Sequence, residues 1–147
     1  MRALVQRVSR AKVTVKSQTT GAIGTGLVVF LAVRHDDTPL RAEQLAQKVA
    51  QLRVFPDAEG KMNRSVIEIA GELLIVSQFT LYGDTRKGNR PSYSEAAKPD
   101  LAERLYEYFI EICRGKGIRV STGIFQAHMQ VDLVNEGPVT LMCSAEG

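Results

Sequence analysis

Histidine and cysteine, which supply most metal ligands and many nucleophiles in enzymes, are scarce in this sequence of 147 residues. There are two of each: His35, His128, Cys113 and Cys143. The histidines lie in no H-x-x-x-H motif and the cysteines in no C-x-x-C motif, so we expect no metal site. A cysteine nucleophile needs a nearby base, and we expect both thiols to be buried in a reducing compartment.

The motifs of serine hydrolases and nucleotide-binding proteins are also missing. Ser77 does not lie in a G-x-S-x-G motif, which exposes a nucleophile on a strained turn. His128 and Asp132 are four residues apart, but that spacing alone does not indicate a triad, and we expect His128 to be a surface residue. The glycines in the range 21–26 match no phosphate-binding motif, so no nucleotide cofactor is expected.

Long apolar runs are absent as well. No segment approaches the ~18 apolar residues that predict a membrane-spanning helix. Residues 1–7 lack the apolar region and cleavage site of a signal peptide. The sequence therefore predicts a cytoplasmic protein without a membrane segment, and its length favours a single domain over residues 1–147 with a core of its own.

Acidic residues are missing from the first 35 positions. This region contains six basic side chains and no Asp or Glu, namely Arg2, Arg7, Arg10, Lys12, Lys16 and Arg34, although the net charge of the whole chain is only +3. Such a face suits a polyanion such as RNA. It equally suits a sheet edge that charged residues protect from self-association, and the charge pattern alone does not decide between the two.

Hydrophobic periodicity predicts strands first and then helices that alternate with strands. Predicted strands cover 3–8, 12–16, 27–33, 73–81, 118–122, 129–134 and 139–143. Helices are predicted to begin at Thr38-Pro39 and Lys98-Pro99, with Pro at the first helical position. Tyr106 and Tyr108 lie off the apolar stripe of the second helix and are expected to be partly exposed. This order predicts an α+β fold with a mixed sheet and two helices.

The segment 73–81 changes character at its end. Leu73-Leu74-Ile75-Val76 is followed by Ser77-Gln78-Phe79-Thr80, as in a buried strand that leaves the core at the edge of a pocket. Side chains alternate between the two faces of a regular strand. Ser77 and Thr80 can therefore reach one cavity only if the strand bends or bulges there.

Two further segments stand out. Asn135-Glu136-Gly137-Pro138 lies between two apolar runs, as in a hairpin turn, and an X-Pro bond adopts the cis form at a cost of only about 0.5–1 kcal/mol. Residues 82–91 form a predicted loop with the basic side chains Arg86, Lys87 and Arg90. This loop could contact the phosphates of a nucleic acid or could simply be solvated.

Five sequence motifs together resemble the D-aminoacyl-tRNA deacylase family, formerly called D-tyrosyl-tRNA deacylases. They are Gln6-Arg7-Val8, Phe55-x-Asp57-x-x-Gly60-Lys61-Met62-Asn63, Ser77-Gln78-Phe79-Thr80-Leu81, Gly123-x-Phe125-x-Ala127-x-Met129 and Asn135-x-Gly137-Pro138-Val139-Thr140. The resemblance implies a deacylase-type fold in a β/β/α layered arrangement. It also implies a homodimer that hydrolyses the ester of D-aminoacyl-tRNA, and of glycine mischarged on tRNA-Ala, without a metal or cofactor.

The resemblance also implies roles for individual residues. Catalysis falls to Ser77-Gln78-Phe79-Thr80, through backbone groups more than a side-chain nucleophile, although Thr80 matches a threonine proposed for that role. Gly137-Pro138, with a cis bond, is expected to enter the partner's pocket and exclude L-amino acids. Phe125, Ala127 and Met129 match residues that lie beside the terminal adenosine. Arg7 and Asn135 match residues that support the Gly-Pro loop, and in the case of Arg7 this is the loop of the partner subunit.

Two other functions stay open from the residues alone. A noncatalytic RNA-binding module would account for the basic segments at the start of the chain and in the loop 82–91. An esterase for small substrates would use the same polar strand end without tRNA. We expect no contact with DNA or with a membrane in any of these cases.

Overall fold

The protein is described by a computed structural model over residues 1–146. Eight strands and two α-helices alternate as predicted for an α+β fold, and a short 3₁₀ helix follows the sixth strand. Their bounds are β1 Arg2–Val15, β2 Gln18–Ile23, β3 Gly26–Ala32, α1 Pro39–Gln51, β4 Phe55–Pro56, β5 Met62–Arg64, β6 Glu72–Ser77, the 3₁₀ helix Phe79–Tyr82, α2 Pro99–Gly115, β7 Arg119–Thr122 and β8 Gln130–Ser144.

Strand β1 organises the main sheet. It pairs antiparallel with β2, β3 and β8, whereas β3, β6 and β7 are parallel to one another. The predicted mixed sheet is therefore confirmed. Parallel neighbours need long crossovers, and the connections that contain α1 and α2 provide them.

The central strands are buried on both faces, which explains their continuous apolar runs. Val29 and Ile75 point to the core beneath α1 and α2. Val28 and Leu74 point to a second core, which β1 and β2 cover together with side chains of β8. The layers are thus β/β/α, as expected.

Glycine at position 21 allows the outer layer to close against the far edge of the sheet. A Cβ on Gly21 would lie 2.5 Å from the carbonyl oxygen of Thr122 in β7. The same approach lets the Ser121 hydroxyl donate to the carbonyl oxygen of Ala22 at 3.2 Å. Strands β2 and β7 therefore meet, and the sheet is nearly closed.

Three features of the strands differ from the sequence predictions. The segments 3–8 and 12–16 form the single strand β1, which changes partner from β3 to β2 along its length. Strand β2, Gln18–Ile23, was not predicted. The last two predicted strands are not a hairpin, because both belong to β8 and pair with β1.

Both helices begin where predicted, at Pro39 and Pro99. Their apolar stripes pack on the sheet, but one side-chain prediction on α2 was wrong. Tyr106 is buried, with 5% of its surface exposed, because its hydroxyl donates to the carbonyl oxygen of Ile75 at 3.2 Å. That bond satisfies its polar end inside the core. Tyr108 is partly exposed, as predicted.

Candidate active site

Strand β6 ends at Ser77, and the chain then turns. The N–H of Gln78 still donates to the carbonyl oxygen of Leu31 in β3 at 2.7 Å, and the 3₁₀ helix begins at Phe79. The predicted strand 73–81 therefore stops four residues early, and the bend that the alternation argument required is present. A 3₁₀ helix leaves its first N–H groups without partners inside the helix. Here those groups belong to Phe79 and Thr80.

A cavity of about 700 Å³ opens beside this turn. One wall is the end of β6, the second is the segment before β8, and the third is the start of α2. Its lining residues are Val76, Ser77, Gln78, Phe79, Tyr93, Ala96, Ala97, Lys98, Pro99, Ala102, Phe125, Gln126, Ala127, His128, Met129 and Val131. The structure thus brings together Ser77, Gln78 and Phe79 with Phe125, Ala127 and Met129, as the sequence motifs suggested.

Thr80 is placed differently from its three neighbours. It is exposed and does not line the cavity, and its hydroxyl accepts a hydrogen bond from the side-chain amide of Gln78. The four motif residues therefore separate into three that line the cavity and one that lies on its outer side.

Aromatic pairs fix two walls of the cavity. The rings of Phe79 and Tyr93 meet edge to face with centroids 5.1 Å apart. Phe125 packs on the buried Tyr106 at 5.8 Å. Such pairs contribute about 0.5–1.5 kcal/mol beyond simple burial, so the partly exposed Phe79 ring has a defined position at the cavity mouth.

Few ionisable side chains reach the cavity. Among residues 1–146, no carboxylate lines it, and its basic side chains are Lys98 and His128. His128 is exposed, as predicted, although no sequence motif indicated that it borders this cavity. Tyr93 and residues 96–99 were also missed. The only signal for them was the helix start at Lys98-Pro99, which sets this segment beside the ends of the parallel strands.

The described residues show no reactive thiol, no cluster of metal ligands and no membrane-spanning helix. Both cysteines are buried, as predicted, and burial raises the pKa of the Cys113 thiol to about 12. In the part of the chain that the structure describes, no three His, Cys, Asp or Glu side chains are grouped so as to hold a metal ion. No helix over residues 1–146 has the length and hydrophobicity to span a membrane.

The Gly137-Pro138 motif forms a bulge inside β8. Asn135 lies opposite Val8 and Thr140 lies opposite Gln6, so residues 136–139 all face the single residue Arg7 of β1. The Gly137-Pro138 peptide bond is cis. Both residues are exposed, and neither lines the cavity of its own chain over residues 1–146.

Arg7 holds this bulge from within the same chain. Its Nε donates to the carbonyl oxygen of Glu136 at 3.0 Å, and its Nη1 donates to that of Val54 at 2.6 Å. Arg7 thus supports the bulge of its own chain. Its contact with the loop of a partner subunit, which the resemblance implies, stays a prediction. Gly137 has φ +122°, and a Cβ there would lie 2.6 Å from Arg7 Nη2. Only glycine fits this position.

Asn135 closes the bulge on its other side. With its amide oriented to satisfy every partner, the nitrogen donates to the carbonyl oxygens of Arg7 and Val139, both at 3.1 Å. The amide oxygen then accepts from the Thr140 hydroxyl at 2.9 Å. The bulge is therefore fixed at both ends by side chains that the motif specifies.

The basic loop after the turn is partly neutralised. Arg86 donates to both carboxylate oxygens of Asp84, at 2.9 and 2.8 Å, and these bonds lower the pKa of Asp84 to about 2. Lys87 and Arg90 are exposed. Of the three side chains singled out in this loop, Arg86 is thus already occupied by a carboxylate.

Comparisons with known proteins agree with the motifs. A family model described as "D-Tyr-tRNA(Tyr) deacylase" matches residues 4–144. The D-aminoacyl-tRNA deacylase of Thermotoga petrophila is 60% identical over 142 residues, which cover 97% of this chain and 95% of that protein.

Two solved structures show the same architecture. One, named "c-Myc DNA Unwinding Element Binding Protein", has a TM-score of 0.94 and 41% identity and covers 100% of both chains. Another, described as "Structural Analysis of a probable eukaryotic D-amino acid tRNA deacylase", has a TM-score of 0.81 at 22% identity and covers 98% of both chains, which shows the fold alone. Together with the family match over nearly the whole length, they show that the chain belongs to the D-Tyr-tRNA(Tyr) deacylase family.

Proposed function

We propose that this protein hydrolyses the ester bond of D-aminoacyl-tRNA and releases the free D-amino acid and tRNA. The family membership supports this activity. The observation that carries it is the cavity beside the 3₁₀ helix. Over residues 1–146 its lining has no carboxylate, and the N–H of Phe79 in its wall has no partner inside the helix. An aminoacyl ester is already activated, so its hydrolysis does not require a strong side-chain nucleophile.

In this reaction a water oxygen adds to the ester carbonyl carbon, and the bond from that carbon to the ribose oxygen breaks. The negative charge that develops on the carbonyl oxygen is bound by the N–H of Phe79 in the cavity wall, and the N–H of Thr80 follows it on the same turn. A donor of this kind contributes roughly 2.7–4 kcal/mol to transition-state stabilisation. The neighbouring 2′-hydroxyl of the substrate can handle the proton that passes to the leaving ribose oxygen, which removes the need for a protein base.

Selection between D- and L-amino acids is assigned to Gly137-Pro138 of a second subunit. This bulge is exposed, is held rigidly by Arg7 and Asn135, and does not reach the cavity of its own chain. In a homodimer it would enter the partner's cavity beside Phe79. A side chain of L configuration would collide with it, whereas a D-side chain points away and glycine has none. Glycine mischarged on tRNA-Ala is therefore accepted as well.

The remaining contacts follow the path of the substrate. Phe125, Ala127 and Met129 form the wall for the terminal adenosine, and Lys87 and Arg90 are available for the tRNA backbone. The enzyme would consist of one deacylase domain over residues 1–147, work in the cytoplasm and need no cofactor or metal.

A noncatalytic nucleic-acid-binding module is the second candidate, favoured by the basic side chains of β1. The name of one similar structure says that that protein binds a DNA element. Such a module would bind with a steep salt dependence but without turnover. An esterase for small substrates would instead cleave model esters as fast as aminoacyl-tRNA.

The decisive experiment compares D-tyrosyl-tRNA and L-tyrosyl-tRNA side by side with EDTA present. Loss of the D-ester alone supports the activity, its chirality and independence from metal. Survival of both esters would contradict the proposal in favour of a binding module. Cleavage of both would leave the hydrolase but overturn the role of Gly137-Pro138.

A further inference from the structure

A second, smaller cavity of about 560 Å³ lies next to the first. The two cavities share Ala127 and His128 in their walls. Its other lining residues are Val15 and four residues with polar side chains, namely Lys16 and Ser17 of the β1–β2 turn, Thr14 and Gln130. It is therefore an extension of the candidate active site on the side of the adenosine wall.

The outer face of β1 continues from this cavity as a row of positive charge. Arg10, Lys12 and Lys16, here called the basic row, are all exposed, while Ala11 and Val13 between them are buried. Arg10 and Lys12 lie on one face of β1. Lys16 follows in the turn, directly after the strand ends at Val15. In residues 1–146 none of the three has a carboxylate within 4 Å.

One carboxylate shares this face. Asp132 of β8 lies opposite Lys12 in the strand register, so the face keeps a surplus of two positive charges. This differs from the loop after the 3₁₀ helix, where Asp84 binds the guanidinium of Arg86. Over residues 1–146 the basic row thus has three cations outside any ion pair, and the loop has two, Lys87 and Arg90.

We propose that the nucleotide preceding the terminal adenosine binds in the smaller cavity and that its strand continues along the basic row. This inference rests on the proposed function, because the order of sites follows from it. The aminoacyl group lies at Phe79 and the adenosine at Ala127. The next nucleotide must then pass His128 and Lys16, where a phosphate meets an unpaired ammonium group.

The test uses two substrates that differ only in this part, D-tyrosyl-tRNA and D-tyrosyl-adenosine. Lys16→Ala and Lys12→Ala should lower kcat/KM for the tRNA several-fold and leave it unchanged for the nucleoside. Each lost phosphate contact should also reduce the slope of log kcat/KM against log salt by about 0.7, the value for single strands. Lys48→Ala, which removes an exposed lysine from α1 on the opposite layer, is the matched control.

The outcomes separate this inference from the proposed function. Equal losses on both substrates, or no loss on either, would overturn the nucleotide site while the deacylase activity stands. If the wild-type protein cleaved neither substrate, the proposed function would fail. Binding of uncharged tRNA to the same variants would then still decide whether the basic row contacts RNA.

A different set of contacts carries a second inference, about the turn itself. Glu146, near the C-terminus, is connected to the 3₁₀ helix through hydrogen bonds with Arg2 and Tyr82. These three residues are here called the clamp. Arg2 donates to Glu146 at 2.8 Å, and the buried Tyr82 hydroxyl donates to the same carboxylate oxygen at 2.9 Å. Arg2 also donates to the carbonyl oxygen of Leu81 at 3.3 Å, and its guanidinium lies 4.6 Å from the centre of the Tyr82 ring.

These contacts hold Leu81 and Tyr82, the last two residues of the 3₁₀ helix. Its first two residues, Phe79 and Thr80, supply the N–H groups proposed to bind the ester oxygen. We infer that Arg2, Tyr82 and Glu146 are positioning residues that hold this turn in its reactive geometry. This inference also rests on the proposed function. Misplacement by a fraction of an ångström weakens the stabilisation of the developing charge but not the binding of the ground-state ester.

Tyr82→Phe tests the clamp, and Tyr108→Phe is its matched control, because the Tyr108 hydroxyl likewise donates to a carboxylate, that of Glu43 on α1. Tyr82→Phe should lower kcat for D-tyrosyl-tRNA several-fold with KM unchanged, whereas Tyr108→Phe should leave kcat at the wild-type value. Glu146→Gln should behave like Tyr82→Phe. Equal kcat in both Phe variants, whatever their Tm, would reduce the clamp to a structural role.

Should the wild-type protein lack deacylase activity, the clamp can still be measured directly. The Leu81 and Gly83 amides donate to the carbonyl oxygens of Gln78 and Thr80. Hydrogen exchange at these two amides should then be faster in Tyr82→Phe than in Tyr108→Phe. Unchanged exchange at both amides would overturn the inference.

Discussion

Two strands of this protein are interrupted by motif residues, and they are interrupted in opposite ways. Strand β6 ends for good at Ser77, and the turn that follows is packed against its own chain and lines a cavity. Strand β8 is interrupted only by residues 136–139 and then resumes its pairing with β1. Its bulge is exposed and contributes nothing to the cavity of its own chain, as far as residues 1–146 are concerned.

The difference is consistent with the proposed roles, in which the turn belongs to the site of its own chain and the bulge to that of a partner subunit. The turn after β6 is contacted on both sides by its own chain. Phe125 lies across the cavity from it, and the clamp residues bind it at Tyr82. The bulge is equally well fixed, by Arg7 and Asn135, yet it is aimed at solvent. A motif that selects substrates in the cavity of a second subunit must be rigid and must not bind in the cavity of its own chain, and the Gly137-Pro138 bulge has both properties. Breaking the bulge should therefore affect chirality, and breaking the turn should affect rate.

Gly137→Ala should have the largest effect. The new Cβ would meet Arg7 Nη2 at 2.6 Å, and the backbone at φ +122° is strained for alanine. Strain of this kind costs about 1–3 kcal/mol, so either the bulge or Arg7 must move. We expect the ratio of D- to L-tyrosyl-tRNA hydrolysis to fall by one to two orders of magnitude on that scale.

The matched control is Gly24→Ala. Gly24 lies in the bend before β3, and a Cβ there would meet nothing within 4 Å. It should keep the wild-type ratio. A Gly137→Ala variant that also kept this ratio would contradict the assignment of selection to the bulge.

Arg7→Lys should have the next largest effect. Lysine keeps the charge but cannot donate to the carbonyl oxygens of Glu136 and Val54 in the fixed geometry of a guanidinium. Hydrogen bonds to charged groups contribute about 1.5–3 kcal/mol each, and loss of one frees the bulge. L-Tyrosyl-tRNA should become a measurable substrate in a deacylation assay.

Arg53→Lys is the control for this change. Arg53 also donates to a backbone carbonyl oxygen, that of Asn63 at 3.1 Å, but on the exposed β4–β5 hairpin. It should leave both substrates unaffected. If the two lysine variants discriminated equally well, Arg7 would have no specific role in selection.

The positions of strands and helices were predicted better from the sequence than the pairing of the strands. The apolar runs at 27–33 and 73–76 predicted buried strands, and Pro39 and Pro99 predicted both helix starts, because these signals are local. The pairing of both halves of β8 with β1 was missed, since Gly137-Pro138 between two apolar runs looks like a hairpin turn until β1 is known to be long enough to pair with both.

The site shows the same division. Ser77, Gln78 and Phe79 were recognised from the change of polarity at a strand end, and Phe125, Ala127 and Met129 only from the family resemblance. Tyr93 was missed because its role depends on a contact with Phe79, fourteen positions away along an irregular loop. The direction of Arg7 toward its own bulge could not be predicted, because it depends on the register of β1 with β8.

A change at Tyr93 should act on the turn and spare selection. Tyr93→Leu removes the ring that meets Phe79 edge to face at 5.1 Å. At about 0.5–1.5 kcal/mol for such a pair, we expect KM for D-tyrosyl-tRNA to rise a few-fold while the D/L ratio stays high. Tyr93→Phe keeps the ring pair and should behave as wild type. A fall in the D/L ratio would show that the turn after β6 also affects selection, and that its function is not separate from that of the bulge in β8.

Thr80→Ala should have the smallest effect of all. Thr80 is exposed and is not among the residues that line the cavity, and its hydroxyl accepts from the Gln78 amide. Alanine keeps the backbone N–H, which is the group that the proposed chemistry uses, and it loses only an exposed hydrogen bond worth about 0.5–1.5 kcal/mol. Because an exposed hydrogen bond lies at the low end of that range, single-turnover hydrolysis of D-tyrosyl-tRNA should stay within about twofold to threefold of wild type. If Thr80 supplied the nucleophile, the same variant would lose nearly all activity, and Thr80→Ser would recover it. The turn would then act through a side chain rather than through its backbone, and the two interruptions would differ in chemistry as well as in position.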